Sequence, residues 1–322
     1  MSSLSRRVRP VLAALSIAVL ALTAACANPE DGGRAADPSA ATKINTAPEQ
    51  NRVRAERVQA IADLVPAAIS GKGELAVGTI SNGVPPLAFL ADDDKTVVGV
   101  EIDIAQLVAD TLGLKLTVTQ SSWENLFLSI RSGKYDVGFS NITVTEERKD
   151  IYDFATYRAD SLTWEVAADS KITKIEKPAD VAGLTVGVGS GSNQEKVLLA
   201  WLDENKAAKL PETKIQYYQT QTDYWLALKS GRIEAFFGPH SLSAYHVQVA
   251  KESKLVGDYY SPTPALIGAM TVKDNGLIKA LNEALNSIIA NGKYAEVLAR
   301  WGLDHEKVTG SLINPPGTPR KK

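Results

Sequence analysis

A single cysteine, Cys26, stands in 322 residues, so no disulfide can form within the chain. Only three histidines occur, at positions 240, 246 and 305, too dispersed to suggest a metal site. An excess of one charge is also lacking. Lys and Arg total 35 against 37 Asp and Glu, a formal charge of −2, and a chain without a basic face is a poor partner for nucleic acid. Beyond the first 25 residues no stretch approaches the ~18 consecutive apolar residues of a transmembrane helix. No Gly-Lys-Ser/Thr follows a glycine-rich turn, which removes the nucleoside-triphosphate loop, and nothing calls for a cofactor.

What is present begins with a processing segment. Arg6, Arg7 and Arg9 precede an apolar stretch over residues 10–22, and Thr23-Ala-Ala-Cys26 is a small-residue cleavage site ending in cysteine. Residues 1–25 are therefore expected to be a signal peptide, whose loss moves the formal charge from −2 to −5. Cys26 after Ala24-Ala25 resembles a bacterial lipobox, although Leu22 sits one residue further from the cysteine than usual. That resemblance implies a diacylated Cys26 tethering the chain to the outer face of a plasma membrane. Residues 26–51, small and polar, read as a flexible tether. The remaining length, with 44% hydrophobic residues in the chain, suits two domains of ~100–150 residues.

The rhythm of strands and helices repeats. Val58, Ile61, Leu64 and Val65 predict a helix face over residues 53–69, kinked at Pro66. Residues 74–79 and 114–118 read as buried strands, with helices over 99–112 and 123–131. Glu101 and Asp103, two apart at the start of a helix, would point in different directions, which disfavours a paired-carboxylate hydrolase; Asp103 suits an N-cap. Asp92-Asp-Asp94 reads as a hairpin turn rather than a metal loop, since further ligands at alternate positions are missing. Residues 161–166 alternate polar and apolar and suggest a segment crossing between domains.

A second pattern starts at residue 183. Gly187 and Gly189 fit the first two positions of a dinucleotide fingerprint, but Ser192 occupies the third. The turn Gly189-Ser-Gly-Ser-Asn193 instead suits a small polar or anionic ligand at a helix N-terminus. Two α/β lobes joined by two crossing strands form the simplest architecture: lobe 1 from residues 52–162 and 262–308, lobe 2 from 163–261, and a disordered tail over 309–322.

The sharpest stretch is Asp136-Val-Gly-Phe-Ser140-Asn-Ile-Thr143-Val-Thr-Glu-Glu-Arg148. An apolar strand ends at Ser140, Asn141 and Thr143, and Arg148 lies close enough to swing back over that tip. Its planar fork suits a carboxylate. Spacing alone also allows a capped helix with Arg148 on its solvated face.

These motifs resemble the family 3 extracellular solute-binding proteins, the amino-acid receptors of ABC importers. The likeness covers residues 54–306. Gly99-Val-Glu-Ile-Asp-Ile-Ala-Gln-Leu-Val-Ala-Asp-Thr-Leu112 follows the family signature except at Val100, where a larger residue is usual. Ser140 to Arg148 with Asp153-Phe154 and Tyr157, Gly189-Ser-Gly-Ser-Asn-Gln-Glu195, and Gly231-Arg-Ile-Glu-Ala235 match further segments in order. The resemblance implies a two-lobed periplasmic-binding-protein-like (type II) fold without enzymatic activity. A monomeric receptor would capture an amino acid or related small carboxylate by closing its lobes and present it to a membrane permease. It places Arg148 on the ligand carboxylate, Ser140, Asn141 and Thr143 as nearby donors, Trp123 as an apolar wall, and Ser192 and Asn193 on the opposite lobe.

Two departures stand out. The acids that this family uses for an α-ammonium would fall at Ile80 and Pro239. A buried ammonium without an anion is costly to desolvate, so the ligand is expected to be a carboxylate other than an ordinary α-amino acid, unless another acid reaches in. The competing class is an enzyme on the same fold, resembling cyclohexadienyl dehydratase, which needs a general acid in the cleft.

Overall fold

The computed structural model describes residues 44–80, 85–259 and 265–320. The expected signal peptide, Cys26, and the tether as far as residue 43 lie outside the described residues, as do the loop positions 81–84 and 260–264.

In chain order, the expected first helix is two short ones, α1 (Gln59–Ala62) and α2 (Ala67–Ser70). Pro66 separates them, because a residue before proline is pushed out of the helical region. Upstream the chain is extended rather than helical: Arg54 donates to both oxygens of Asp110, Arg52 donates to Asp103 at 2.9 Å, and the Val58 N–H reaches the Thr111 carbonyl. Residues 44–51, read as tether, are also tied down, with Arg300 donating to the Asn51 carbonyl and the Asp92 N–H to that of Thr46.

Strand β1 (Glu74–Ile80) follows, then the short pair β2 (Phe89–Leu90) and β3 (Val97–Val98) around the expected Asp92–Asp94 turn, where the Asp93 carboxylate accepts from the N–H groups of Lys95 and Thr96. Helix α3 (Val100–Leu112) ends at Gly113, whose left-handed φ of 69° suits glycine. Then come β4 (Lys115–Ser121), α4 (Trp123–Arg131), β5 (Val137–Gly138) and β6 (Tyr152–Ala159). The second series is β7 (Leu162–Ala167), β8 (Thr185–Gly189), α5 (Asn193–Ala207), β9 (Lys214–Tyr218), α6 (Gln221–Lys229), β10 (Ala235–Pro239), α7 (His240–Ala250) and β11 (Ser253–Tyr259). Strand β12 (Leu266–Val272) and helices α8 (Ile278–Ala290) and α9 (Lys293–Arg300) close the fold.

Two five-stranded sheets result, ordered β4-β1-β5-β12-β6 and β11-β7-β10-β8-β9. In the first, β1 runs parallel to β4 and β5, and β12 is antiparallel to β5 and β6. The second repeats the plan, with β8 parallel to β9 and β10, and β7 antiparallel to β10 and β11. The chain leaves the first sheet through β6 into β7 and returns from β11 to β12. The carboxyl ends of the parallel strands, where open α/β sheets bind ligands, therefore belong to the loops carrying Ser140, Ser190, Gln219 and Pro239.

The first core packs Leu75 and Val77 of β1 against Leu107 of α3 and Leu281 and Leu285 of α8, all fully buried. Each such side chain contributes roughly 1.5–3 kcal/mol. The second core centres on Trp164, stacked on Phe237 with centroids 4.3 Å apart.

Two further expectations are corrected. Asp103 is not an N-cap; Gly99 holds that position, and the buried Asp103 carboxylate accepts from Arg52 and from Trp301 Nε1 at 2.8 Å, burial raising its pKa. The alternation over 161–166 does mark a crossing, since it runs into β7 directly after the chain leaves β6. Residues 162–166 are buried, with the Thr163 hydroxyl on the Gly257 carbonyl and Glu165 bonded to His246 and Ser253. The tail from residue 309, read as disordered, is bonded as far as residue 320, first to β6 and then to residues 144–150: Thr156 and Leu312 exchange hydrogen bonds, the Asn314 N–H donates to the Phe154 carbonyl, and the Thr318 N–H donates to that of Val144. Its prolines do not prevent this, because the bonding N–H groups belong to Leu312, Asn314, Gly317 and Thr318.

Candidate functional site

A cavity of about 130 Å³ lies between the two sheets' loop ends. All seven residues expected at a ligand site line it: Trp123, Ser140, Asn141, Thr143 and Arg148 from one side, Ser192 and Asn193 from the other. The capped helix that spacing alone allows at Arg148 is only a 3-10 turn, Arg148–Asp150, and Arg148 is half-buried rather than solvated.

Arg148 donates to the Thr143 carbonyl at 2.7 Å and, across the cleft, to the Gly191 carbonyl at 3.3 Å. Its guanidinium sits 5.3 Å from the Trp123 ring centroid and 5.1 Å from that of Phe127. Burial pushes its pKa down to about 10, against the raising effect of Glu147 and Asp160, so it stays charged at neutral pH. Among the described residues no carboxylate forms an ion pair with it.

The strand tip is built from residues already engaged with one another. Asn141 adopts a left-handed φ of 51°, which asparagine tolerates better than bulkier residues, and its Oδ1 accepts from Arg158 at 2.5 Å. The Thr143 hydroxyl donates to Asp160 at 3.0 Å and so cannot donate to a ligand at the same time. The Ser140 hydroxyl accepts from the Ile80 N–H at 3.0 Å, which leaves its own proton to give.

On the second lobe, Ser192 is the N-cap of α5, accepting from the Glu195 N–H and donating to the Gly189 carbonyl at 2.6 Å. Its hydroxyl is engaged in the fold. The buried Asn193 Oδ1 has no partner among the described residues and is the better-placed side chain of the pair.

The sequence reading missed much of the wall. Tyr218, Gln219, Thr220, Gln221, Tyr224 and Phe236 also line the cavity, with Tyr224 and Phe236 stacked at 3.4 Å between centroids. The Thr220-Gln-Thr-Asp223 run, an N-cap signal with Thr220 accepting from Asp223, was the available clue. The first turns of α4, α5 and α6 thus all reach the cavity through Trp123, Asn193 and Gln221. Helix N-termini favour anions. None of the described lining residues is an acid, Ile80 and Pro239 included. Among the described residues no cluster of three His, Cys, Asp or Glu could hold a metal ion.

Two α/β sheets bearing one cleft between their loop ends define a two-lobed solute-binding protein. The family model for bacterial extracellular solute-binding proteins, family 3, matches residues 75–304, and the chain belongs to that family. The chain is 28% identical to the arginine-binding protein ArgT of Corynebacterium glutamicum, over 80% of this chain and 83% of that one. It is 26% identical to the L-cystine-binding protein TcyJ of Escherichia coli, over 72% and 84%. Among solved structures it resembles an ancestral amino-acid-binding protein, AncCDT-1, described as a precursor of cyclohexadienyl dehydratase, at 25% identity and TM-score 0.62 over 73% of this chain and 97% of that one.

Proposed function

We propose that this protein is the extracytoplasmic receptor of an ABC importer, anchored through a lipidated Cys26, and that it captures a small carboxylate other than an ordinary α-amino acid. The reading rests on one observation: the cavity gathers the Arg148 guanidinium and three helix N-termini while its described lining contains no acid. A carboxylate entering there meets a preformed fork plus backbone donors, and Ser140 has a proton to add. An α-ammonium, or the guanidinium of an arginine, meets no acid in that lining, and Glu101, which lines the adjoining recess with Ile80, Ser140 and Asn141, is already bonded to Arg158 and Tyr157. The aromatic wall of Trp123, Tyr218, Tyr224 and Phe236 suits an apolar or aromatic body. Closure brings Asn193 and Gly191 onto the molecule held at Arg148, and a ligand bridging both walls adds to the direct contacts between the lobes that favour the closed form. Relatives named for arginine and cystine support amino-acid-like chemistry, and their difference from one another leaves the side chain open.

Isothermal titration decides the ligand class. Phenylpyruvate and other 2-oxo or N-acyl carboxylates are expected to bind at least tenfold tighter than phenylalanine, glutamine, cystine or arginine. Tight binding of any unmodified amino acid overturns the class, and native mass spectrometry of the protein from its host would show what co-purifies. A second reading, a dehydratase on this fold, draws on Asp160, which lies behind Thr143 and whose pKa burial raises to about 6, a suitable value for a general acid. Turnover of prephenate or arogenate would establish it, and unchanged substrate after prolonged incubation would remove it.

A further inference from the structure

The family match ends at residue 304, yet the chain beyond it is bonded to the turn that carries Arg148. The Thr318 N–H donates to the Val144 carbonyl at 3.0 Å, and its carbonyl accepts from the Glu146 N–H at 3.1 Å. The Gly317 N–H donates to Glu146 Oε1 at 2.8 Å. Lys149 Nζ donates to the Pro315 carbonyl at 3.0 Å, and Arg320 grips both oxygens of Asp150 at 2.8 and 2.6 Å. Backbone or side chain is therefore held at positions 144, 146, 149 and 150, on both sides of Arg148.

The same segment is fixed upstream to β6. The Leu312 N–H donates to Thr156 Oγ1, and Asn314 accepts from the Phe154 N–H and donates to Asp153, both at 2.8 Å. Gly317 permits the approach: a Cβ there would stand 2.8 Å from the Val144 carbonyl oxygen and 2.9 Å from Thr145 Cα. A short 3-10 turn has few bonds of its own and would fray at a sheet edge without this second strand.

We infer that residues 311–320 form a strap whose role is to position Arg148, fixing the turn so that the guanidinium stays aimed into the cavity. The strap acts through Arg148 and touches no ligand. It deepens the carboxylate-receptor reading and depends on it only for the affinity part of the test.

The test compares the full chain with a truncation after residue 310, with Gly317→Val and with Arg320→Ala. The milder Arg320→Ala keeps the comparison alive if truncation prevents folding. Hydrogen exchange at amides 146–150 is expected to speed up at least tenfold in the truncation and in Gly317→Val, with strands β1 and β8 unchanged. The Nε–H resonance of Arg148 should shift or broaden in the same variants. Phenylpyruvate affinity should fall about tenfold or more, and a synthetic peptide of residues 309–320 should restore it to the truncated chain. Unchanged exchange and an unchanged Arg148 resonance in Gly317→Val would overturn the strap. Wild-type protein that ignores phenylpyruvate, but whose Arg148 signal still responds to truncation, would overturn the ligand class and leave the strap standing.

Discussion

Arg148 of the first lobe donates to the carbonyl of Gly191 in the second, 3.3 Å away, with the remaining fork directed at its own strand tip. Neutral carbonyls are weak partners for a guanidinium compared with a carboxylate. A ligand carboxylate can therefore displace them, and the residue that reads the ligand also reports closure.

Arg148→Ala should lower carboxylate affinity by ~100-fold or more, about 3 kcal/mol, because a partly desolvated charge pair disappears. Arg148→Lys should recover only part, since an ammonium cannot present two parallel donors. Titration calorimetry measures the loss, and a thermal melt should move little. Wild-type affinity in Arg148→Ala would contradict the assignment.

Beside this contact, Lys196 of α5 places Nζ 2.8 Å from both oxygens of Glu147. The pair joins the lobes and is partly exposed, so its contribution belongs at the low end, ~0.3–1 kcal/mol. Glu147→Gln and Lys196→Met should each weaken ligand binding two- to fivefold, and the double variant should lose no more than the worse single one. The effect should shrink in 0.5 M salt. Additive losses would mean that the contact plays no part in closure.

Much of this was legible in the sequence, and the reasons differ by element. The βα rhythm showed because apolar periodicity is local. The strand tip and Arg148 showed because one nine-residue stretch, Ser140 to Arg148, carries both the hydroxyls and the fork. Helix α7 did not show: its buried face includes Ser241, Ser243 and His246, so no apolar stripe marks it. Asp103 was misread because its partners, Arg52 and Trp301, come from 51 residues before it and 198 residues after it. The tail was misread because proline and glycine look alike in a free end and in a strap that needs close approach. Ser192 lines the cavity and also caps α5, a second duty that its place before a helix makes legible.

The strand tip also depends on a buried charge cluster. Arg158 donates to Glu101 at 2.6 Å, to Asn141 and to Glu306, while the Tyr157 hydroxyl donates to Glu101. Removing the cation leaves two buried carboxylates facing each other. Arg158→Ala should destabilise the fold by about 3–5 kcal/mol in urea denaturation. Glu306→Gln, which keeps a hydrogen-bond acceptor, should be far milder. An Arg158→Ala effect below 1 kcal/mol would mean that water reaches the cluster.

Asp160 gives the sharpest dependence on pH. Burial raises its pKa to about 6, outweighing the lowering effects of Arg158, the Thr143 hydroxyl and Arg148. Between the ordinary carboxylate value near 4 and about 6 the folded chain holds a proton that the unfolded chain has released. Stability attributable to this group therefore falls as pH rises through that window and is flat above it. Asp160→Asn keeps an acceptor for Thr143 and removes the titration, so the variant should gain on the wild type as pH rises from 4 to 6. The gain should reach roughly 1–2 kcal/mol after allowance for solvent screening. Urea midpoints at half-unit pH steps measure it. Parallel curves for the two proteins across pH 4–7 would show that Asp160 is already ionised in the folded chain at pH 4, as a carboxylate held mainly by its cations would be.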